Sequence, residues 1–494
     1  MTPPDHGDQW HRLSMWMIAV KPVEMLPSLI PVIIAVFLTG RTSPMLGAVI
    51  GAIGLPLIAV VPWLTTRYQV TDERVTVRSG VITRKTASAP RDRIRSVELS
   101  ATLPHRVLKL SKVRIGTGGD TEGTVVELNA IATPAAIALR EQLIARQPNA
   151  AQPLSAGPAS TELTRFHPSW LRFAPFSLAG FAAAGAIVGI GAQLVNELDL
   201  SERGIEAASG VAERFKSSPG LLIALVVISV IVVATLLSLI GYALSYWNFS
   251  VTRTMTSPGT TSSGRSLHIT RGLLTTHSTT LDDDRVHGVY LHEPVLMRPV
   301  HGAKLSGIAT GSTKHPLLLP PAPHAEAVRV AQLVSGDSAE LNQTLRPHGP
   351  AARRRRLTRA AVPGAVIVVG VGAGVIAAPG WWPALVVATV LAVALAALGV
   401  PRYRHLGTEV TASSVVFAPP TIARQRRVLH RDGVIGTTTR QSFFQRRVGV
   451  STVVVATAAG SEGYPAIDLT DADANALIAE LLPSEVASLN MISQ

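Results

Sequence analysis

The sequence predicts a polytopic α-helical membrane protein. About six transmembrane helices form three pairs, and each pair is followed by a β-rich module that a C-terminal helix closes. Three observations predict it. First, apolar residues make up 47% of the 494-residue chain and charged ones only 16%, where soluble proteins carry about a quarter, and the apolar excess is gathered in long blocks. Second, an acidic-basic cluster recurs three times, as Pro90-Arg91-Asp92-Arg93-Ile94, Asp282-Asp283-Asp284-Arg285-Val286 and His430-Arg431-Asp432-Gly433-Val434. Third, an Arg in a short apolar stretch follows each central Asp at one constant spacing of 14 residues: Arg106, Arg298 and Arg446. A spacing shared by three copies, each met after a pair of apolar blocks, marks a triplicated unit.

A span needs roughly 20 mostly apolar residues. The candidates are Pro22–Thr39 with Pro44–Leu64, Leu171–Val195 with Leu221–Leu244, and Val362–Ala378 with Trp382–Val400. The first is the weakest, because it holds Pro22, Pro27, Pro31 and the acidic Glu24, and proline interrupts helical hydrogen bonding. Trp10 and Trp16 are candidate interface anchors. No small-residue cleavage site follows, so this stretch is a poor secretory signal. Ionisable side chains are nearly absent from the span middles, where transport pathways usually keep them. Small-residue pairs such as Gly47/Gly51, Gly185/Gly189 and Gly370/Gly374 allow close helix contact instead.

Charge sets the orientation. The connection 196–219 inside the second pair leans acidic, with Glu197, Asp199, Glu202, Glu206 and Glu213. Basic residues gather on the other side, above all Arg353-Arg354-Arg355-Arg356 before the fifth span. The positive-inside rule then places the N terminus, all three modules and the C terminus in the cytoplasm of a multi-pass inner-membrane protein. The Arg run reads as a stop-transfer flank or as a site for anionic head groups. The same rule accounts for the net charge of +13; no nucleic-acid-binding signature accompanies it, so nucleic acid is not an expected partner. Cysteine is absent, which excludes disulfides, thiolate metal sites and cysteine nucleophiles.

The first module spans 67–146, after an N-terminal segment and first span pair at 1–66. Tyr68–Thr71, Arg74–Arg78, Val81–Thr83, Val113–Ile115 and Val125–Leu128 alternate apolar with polar residues, the pattern of half-buried antiparallel strands. Gly80 supplies a hairpin turn. A closing helix starts at Thr133-Pro134 and offers Ile137, Leu139, Leu143 and Ile144 to a core. A linker, 147–170, leads to the second span pair, 171–244. The second module, 245–335, repeats the plan, with Gly272 in the place of Gly80, an extra polar stretch Ser257–Ser266 and a closing helix Ala325–Val334. A basic linker, 336–361, precedes the third pair, 362–400. The third module, 401–482, diverges: Pro420 stands at the turn glycine, Gly433 replaces the Arg after Asp, and the closing helix buries Leu477, Ile478, Leu481 and Leu482. A tail, 483–494, follows.

A small antiparallel barrel or sandwich closed by one helix is the outline of a pleckstrin-homology (PH) domain. The segments Tyr68…Thr71, Arg78-Ser79-Gly80-Val81-Ile82, Pro90–Val97 and Leu103…Arg106…Leu108…Leu110 make the resemblance specific. The modules resemble the bacterial PH domains of the membrane-flanked (YdbT-like) family, best in the first copy and least in the third. The resemblance covers nearly the whole chain. It implies a membrane-bound, non-enzymatic protein, often working beside a smaller PH-like membrane protein, with links to secretion and to resistance against membrane-active peptides.

The candidate sites are few. The Asp/Arg pairs Asp92/Arg106, Asp284/Arg298 and Asp432/Arg446 read as structural bridges rather than ligand sites, because function tends to diverge among copies. Arg93, Arg95, Lys109, Lys112 and Arg114 form a candidate face for anionic head groups or a solvated basic face. Asp282-Asp283-Asp284 lacks the glycine and terminal Glu of a calcium loop. The second module's histidines (His268, His277, His287, His292, His301, His315, His324) lack the helical spacing of a metalloprotease site and read as loop residues or a pH sensor. No catalytic, metal or cofactor motif appears, so no cofactor is expected. The expected function is a scaffold that recruits partners at the membrane, with lipids and a membrane protein as partners and room for an oligomer. The alternatives are a lipid-handling or peptide-export component and an anionic-lipid or stress sensor.

Overall fold

The computed structural model describes residues 10–24, 60–80, 84–91, 94, 96–116, 125–145, 159–176, 185, 189, 218–255, 265–310, 315–336, 341 and 344–481. The chain divides into two compact units, Met1–Asp283 and Asp284–Gln494. The division falls at the second signature cluster, inside the second module.

In the first unit, β1 (His11–Arg12), β2 (Arg67–Val70), β3 (Arg74–Ser79) and β4 (Lys85–Pro90) form an antiparallel sheet in that order. Then come β5 (Ser96–Ala101), α1 (Leu103–Val107), β6 (Leu110–Gly116), β7 (Val125–Ala132) and α2 (Thr133–Ala145). The core of this first module combines alternate strand residues (Val75, Val77, Val97, Val113, Ile115, Val126, Leu128) with Ala136, Leu139 and Leu143 of α2. Those three lie on one helix face at i, i+3 and i+7. Ile137, expected in the core, falls one residue off that face and is 39% exposed. The N-terminal segment contributes more than expected: Leu13, Met17 and Val20 are buried in the same core. Glu24, the acid that weakened the first apolar segment, lies 3.5 Å from the buried His105 of α1.

The first unit continues with β8 (Ala159–Arg165), a 3-10 segment Pro168–Phe176, the long helix α3 (Pro219–Tyr246), β9 (Ser250–Met255), β10 (Arg265–Arg271) and β11 (Thr276–Asp282). β8 arises from the end of the expected linker. Residues 171–176 of the expected third span form a 3-10 turn that buries Phe173 and Ala174. The hairpin glycines hold as read: Gly80 and Gly272 have φ of 107° and 104°, and a Cβ on Gly272 would lie 1.9 Å from the Thr275 carbonyl oxygen.

The second unit holds β12 (Val286–Glu293), β13 (Gly302–Ala309), β14 (Leu317–Pro323) and α4 (His324–Ser335), which Gly336 ends in the left-handed region. The helical hairpin α5 (Gly349–Ala377) and α6 (Trp382–Ala397) follows, then α7 (Gly399–Arg404). The third module has β15 (Gly407–Val410), β16 (Ser414–Ala418), β17 (Arg424–His430), β18 (Val434–Arg440), α8 (Phe443–Arg446), β19 (Val450–Thr457), β20 (Gly463–Thr470) and α9 (Asp471–Leu481). Leu477 and Leu481 are buried as expected, and Ile478 packs against the same core. Leu482 and the stretch 257–264 lie outside the described residues.

Three helical stretches among the described residues are long and apolar enough to cross a membrane: Val227–Tyr246, Gly349–Ala377 and Trp382–Arg404. Six were expected; most of the first pair and of the third segment lies outside the described residues. The close approach between α5 and α6 is not at Gly370 or Gly374, which face open space. It is at Gly364, where a Cβ would meet the Ala392 Cα at 2.7 Å.

Candidate functional site

The strands join the modules. β5 of the first module pairs with β11 of the second, giving one seven-stranded sheet in the order β7-β6-β5-β11-β10-β9-β8. β12 of the second pairs with β17 of the third, giving a six-stranded sheet in the order β14-β13-β12-β17-β16-β15. The register is the same in both. Ser96, four residues past Asp92, pairs with Leu281, three before Asp284. Gly288, four past Asp284, pairs with Leu429, three before Asp432. In the third module the cluster lies between β17 and β18, which belong to two different sheets. In the second and third copies it folds as a 3-10 turn, Asp283–Arg285 and Arg431–Gly433.

Side chains reinforce each joint. At the first, the Arg140 guanidinium on α2 donates to Ser278 Oγ of β11 at 3.4 Å, and the signature Arg106 donates to the Leu273 carbonyl at the β10–β11 turn. Glu98 on β5 is half-buried, and the desolvation pushes its carboxyl up against the pull of Arg114 and Arg271. At the second joint, Glu293 faces Arg424 in register, 3.8 Å from its Nη1 and 3.4 Å from His324 Nε2. Burial raises the Glu293 carboxyl, but the bond to His324 and the charge of Arg424 outweigh it and hold it below the usual range. Arg427 lies over the Tyr290 ring at 5.3 Å. Gly433 now has a reason to replace the Arg of the other copies: a Cβ there would lie 2.8 Å from the His287 Cβ.

Four of the second module's histidines sit in or beside the joint sheets rather than in loose loops: His277 and His292 pair across the joints, His268 lies on the neighbouring β10, and His287 abuts Gly433. His268, His277, His287 and His292 are each pushed down, mainly by burial, with a further lowering from Arg140 for His268, Arg271 for His277, the nearby His430 for His287 and Lys304 for His292. Among the described residues no group of three metal-ligating side chains gathers.

Asp92, Arg93 and Arg95 lie outside the described residues. Each signature Arg belongs to a repeated turn. Lys109, His301 and Gly449 donate their amides to the carbonyls of Arg106, Arg298 and Arg446 at 3.1, 3.0 and 3.3 Å. All three have positive φ, 54°, 53° and 64°. On the candidate basic face, Lys112 Nζ is 2.9 Å and Arg114 Nε 3.6 Å from Glu127.

Sequence reading missed one cluster. Asp468 on β20 is fully buried, with φ of 63°. Arg355 Nη1 lies 3.0 Å from its Oδ1, Arg356 donates to its Oδ2, and Gln445 Nε2 donates to Oδ1 at 2.9 Å. Half of the expected stop-transfer run is thus an internal tie between the foot of α5 and the third module. Nearby, His348 bonds the Ile467 carbonyl at 2.7 Å and Thr408 Oγ1 at 2.9 Å, and burial pushes it down. The single signal in the sequence was a lone Asp amid the apolar alternation of Ala466-Ile467-Asp468-Leu469.

The chain matches no curated protein and no solved structure. It does match the bacterial PH domain family three times, over residues 25–147, 200–335 and 363–484, more than half of its length. Each match covers one module together with the apolar sequence before it, and the chain belongs to the bacterial PH domain family.

Proposed function

We propose that this protein is a non-enzymatic scaffold of the bacterial inner membrane, with its termini and three PH-like modules on the cytoplasmic side. The strand joints carry this reading. Backbone pairing over six residue pairs at each joint links two neighbouring modules into one shared sheet within each compact unit, which places surfaces of two modules side by side. Weak contacts made by such neighbouring surfaces gain from high effective concentration. PH domains are generally interaction modules, and no constellation of nucleophile, base and oxyanion donors gathers among the described residues. A sensor built on the basic face of the first module has less support, because Glu127 already engages both Lys112 and Arg114.

The test is mass spectrometry of the protein extracted in native membrane patches, comparing the wild type with Glu293→Arg, which sets a cation against Arg424 and opens the second joint. A stoichiometric protein partner that is lost in the variant supports the scaffold. One enriched lipid, no protein partner and an unchanged profile in the variant would overturn it. A reporter active only outside the cytoplasm should work when fused near Glu206 and stay silent after Gln494.

A further inference from the structure

Among the described residues two strand edges have no strand beside them, and they are the two halves of a third joint. Each internal joint sets the first strand after one signature cluster against the last strand before the next. β18 is the third module's strand of the first kind, and it ends the sheet β18-β19-β20. β4 is the first module's strand of the second kind, and it ends the sheet β1-β2-β3-β4. Among the described residues no strand pairs with the outer edge of either. Such edges are templates for another strand.

The face beside β4 is open as well. A groove of about 590 Å³ there includes Thr76, Thr86 and Ser88 in its lining. Counted back from the signature Asp, these are the counterparts of His268, Ser278 and Thr280. In the second module the preceding module's helix α2 sends Arg140 to that place, onto Ser278. The first module has the same seat, and among the described residues no helix of a neighbouring module reaches it.

We propose that β18 of one copy of this chain pairs with β4 of a second copy, in the register of the internal joints. Gly436 then faces Ala89, Thr437 faces Ser88, Thr438 faces Ala87 and Thr439 faces Thr86. Small and β-branched residues of this kind suit a cross-strand pair. A contact between different surfaces of two copies is heterologous and extends into an open array. The register also sets Arg440 opposite Lys85, a like-charged pair that weakens the contact. The intermolecular joint is therefore weaker than the internal ones and is strengthened by salt.

This inference rests on the joint reading above, and one experiment separates the two. The chain has no cysteine, so single cysteines report cleanly. Differently tagged Ala87→Cys and Thr438→Cys chains are co-expressed and treated in native membranes with a short thiol cross-linker. The expected product is a dimer carrying both tags. Ser88→Cys with Thr438→Cys, one residue out of register and on the opposite pleat face, should give several-fold less. Adding Lys85→Glu to the Ala87→Cys chain should raise the yield at low salt. A Glu98→Cys/Thr279→Cys chain reports the first internal joint and should cross-link within itself. If this control closes and the mixed pair gives no dimer, or no more than the shifted pair, the proposal is overturned while the scaffold stands. Thr438→Cys chains that cross-link to each other as well as to Ala87→Cys would also overturn it, by showing β18 paired with itself. Failure of the control overturns both readings.

Discussion

The amide of Gly449 donates to the carbonyl of Arg446 in the turn after β18, and the same bond joins Lys109 to Arg106 and His301 to Arg298. The turn forces its last residue into the left-handed region. Glycine adopts that region freely, whereas other residues are strained there by roughly 1–2 kcal/mol. His301→Gly should therefore stabilise the protein by up to about 1 kcal/mol, and Gly449→Ala should destabilise it by a similar amount. Thermal unfolding in detergent reads both. Destabilisation by His301→Gly would show that the imidazole makes a contact worth more than the strain.

The tie at Asp468 predicts a large loss. Asp468→Ala leaves Arg355 and Arg356 buried without their shared carboxylate, and breaking a buried ionic cluster from one side costs about 3–5 kcal/mol. Replacing all three together by apolar residues, as Asp468→Leu with Arg355→Met and Arg356→Met, should recover much of that loss. Unfolding midpoints of the single and triple variants decide it. A triple variant no better than the single one would assign the group a role beyond charge pairing.

Helix packing makes an asymmetric prediction for the α5–α6 hairpin. Gly364→Leu should disrupt it, because a Cβ at Gly364 already meets Ala392 at 2.7 Å and 2.9 Å. Gly370→Leu should be tolerated. Proteolysis of the folded protein in membranes distinguishes the two, and equal sensitivity would contradict the packing.

Acid should loosen the joints. His268, His277, His287 and His292 all have depressed affinities for a proton in the folded state. The unfolded chain protonates first, near pH 6.5, so their contribution is full above that pH and is lost as pH falls through the lower folded values. The unfolding midpoint should fall as pH drops below about 6.5. His287→Asn with His292→Asn should flatten this dependence. A midpoint independent of pH below that value would show that the joints do not feel these groups.

The elements were legible because their causes are local. Alternation wrote the strands Arg74–Ser79 and Val125–Ala132, and the hairpin glycines appear at Gly80 and Gly272 with the positive φ they imply. The repeat itself, with Asp and Arg at one spacing, was visible as soon as the three copies were aligned. Its meaning was not. In the second and third copies the central Asp sits in a 3-10 turn, and in all three copies the Arg carbonyl closes a turn.

The sequence by itself determined three PH-like modules, their order and the apolar helices between them, because burial pattern, turn chemistry and hydropathy act over neighbouring residues. Only the tertiary structure decided which strand edges meet, why Gly433 replaces an Arg and why Asp468 is buried. Each of these depends on groups far apart in the chain: β5 on β11, His287 on Gly433, Arg356 on Asp468. Backbone pairing carries no side-chain signature of its partner, so a strand that joins two modules reads in the sequence like a strand that serves one.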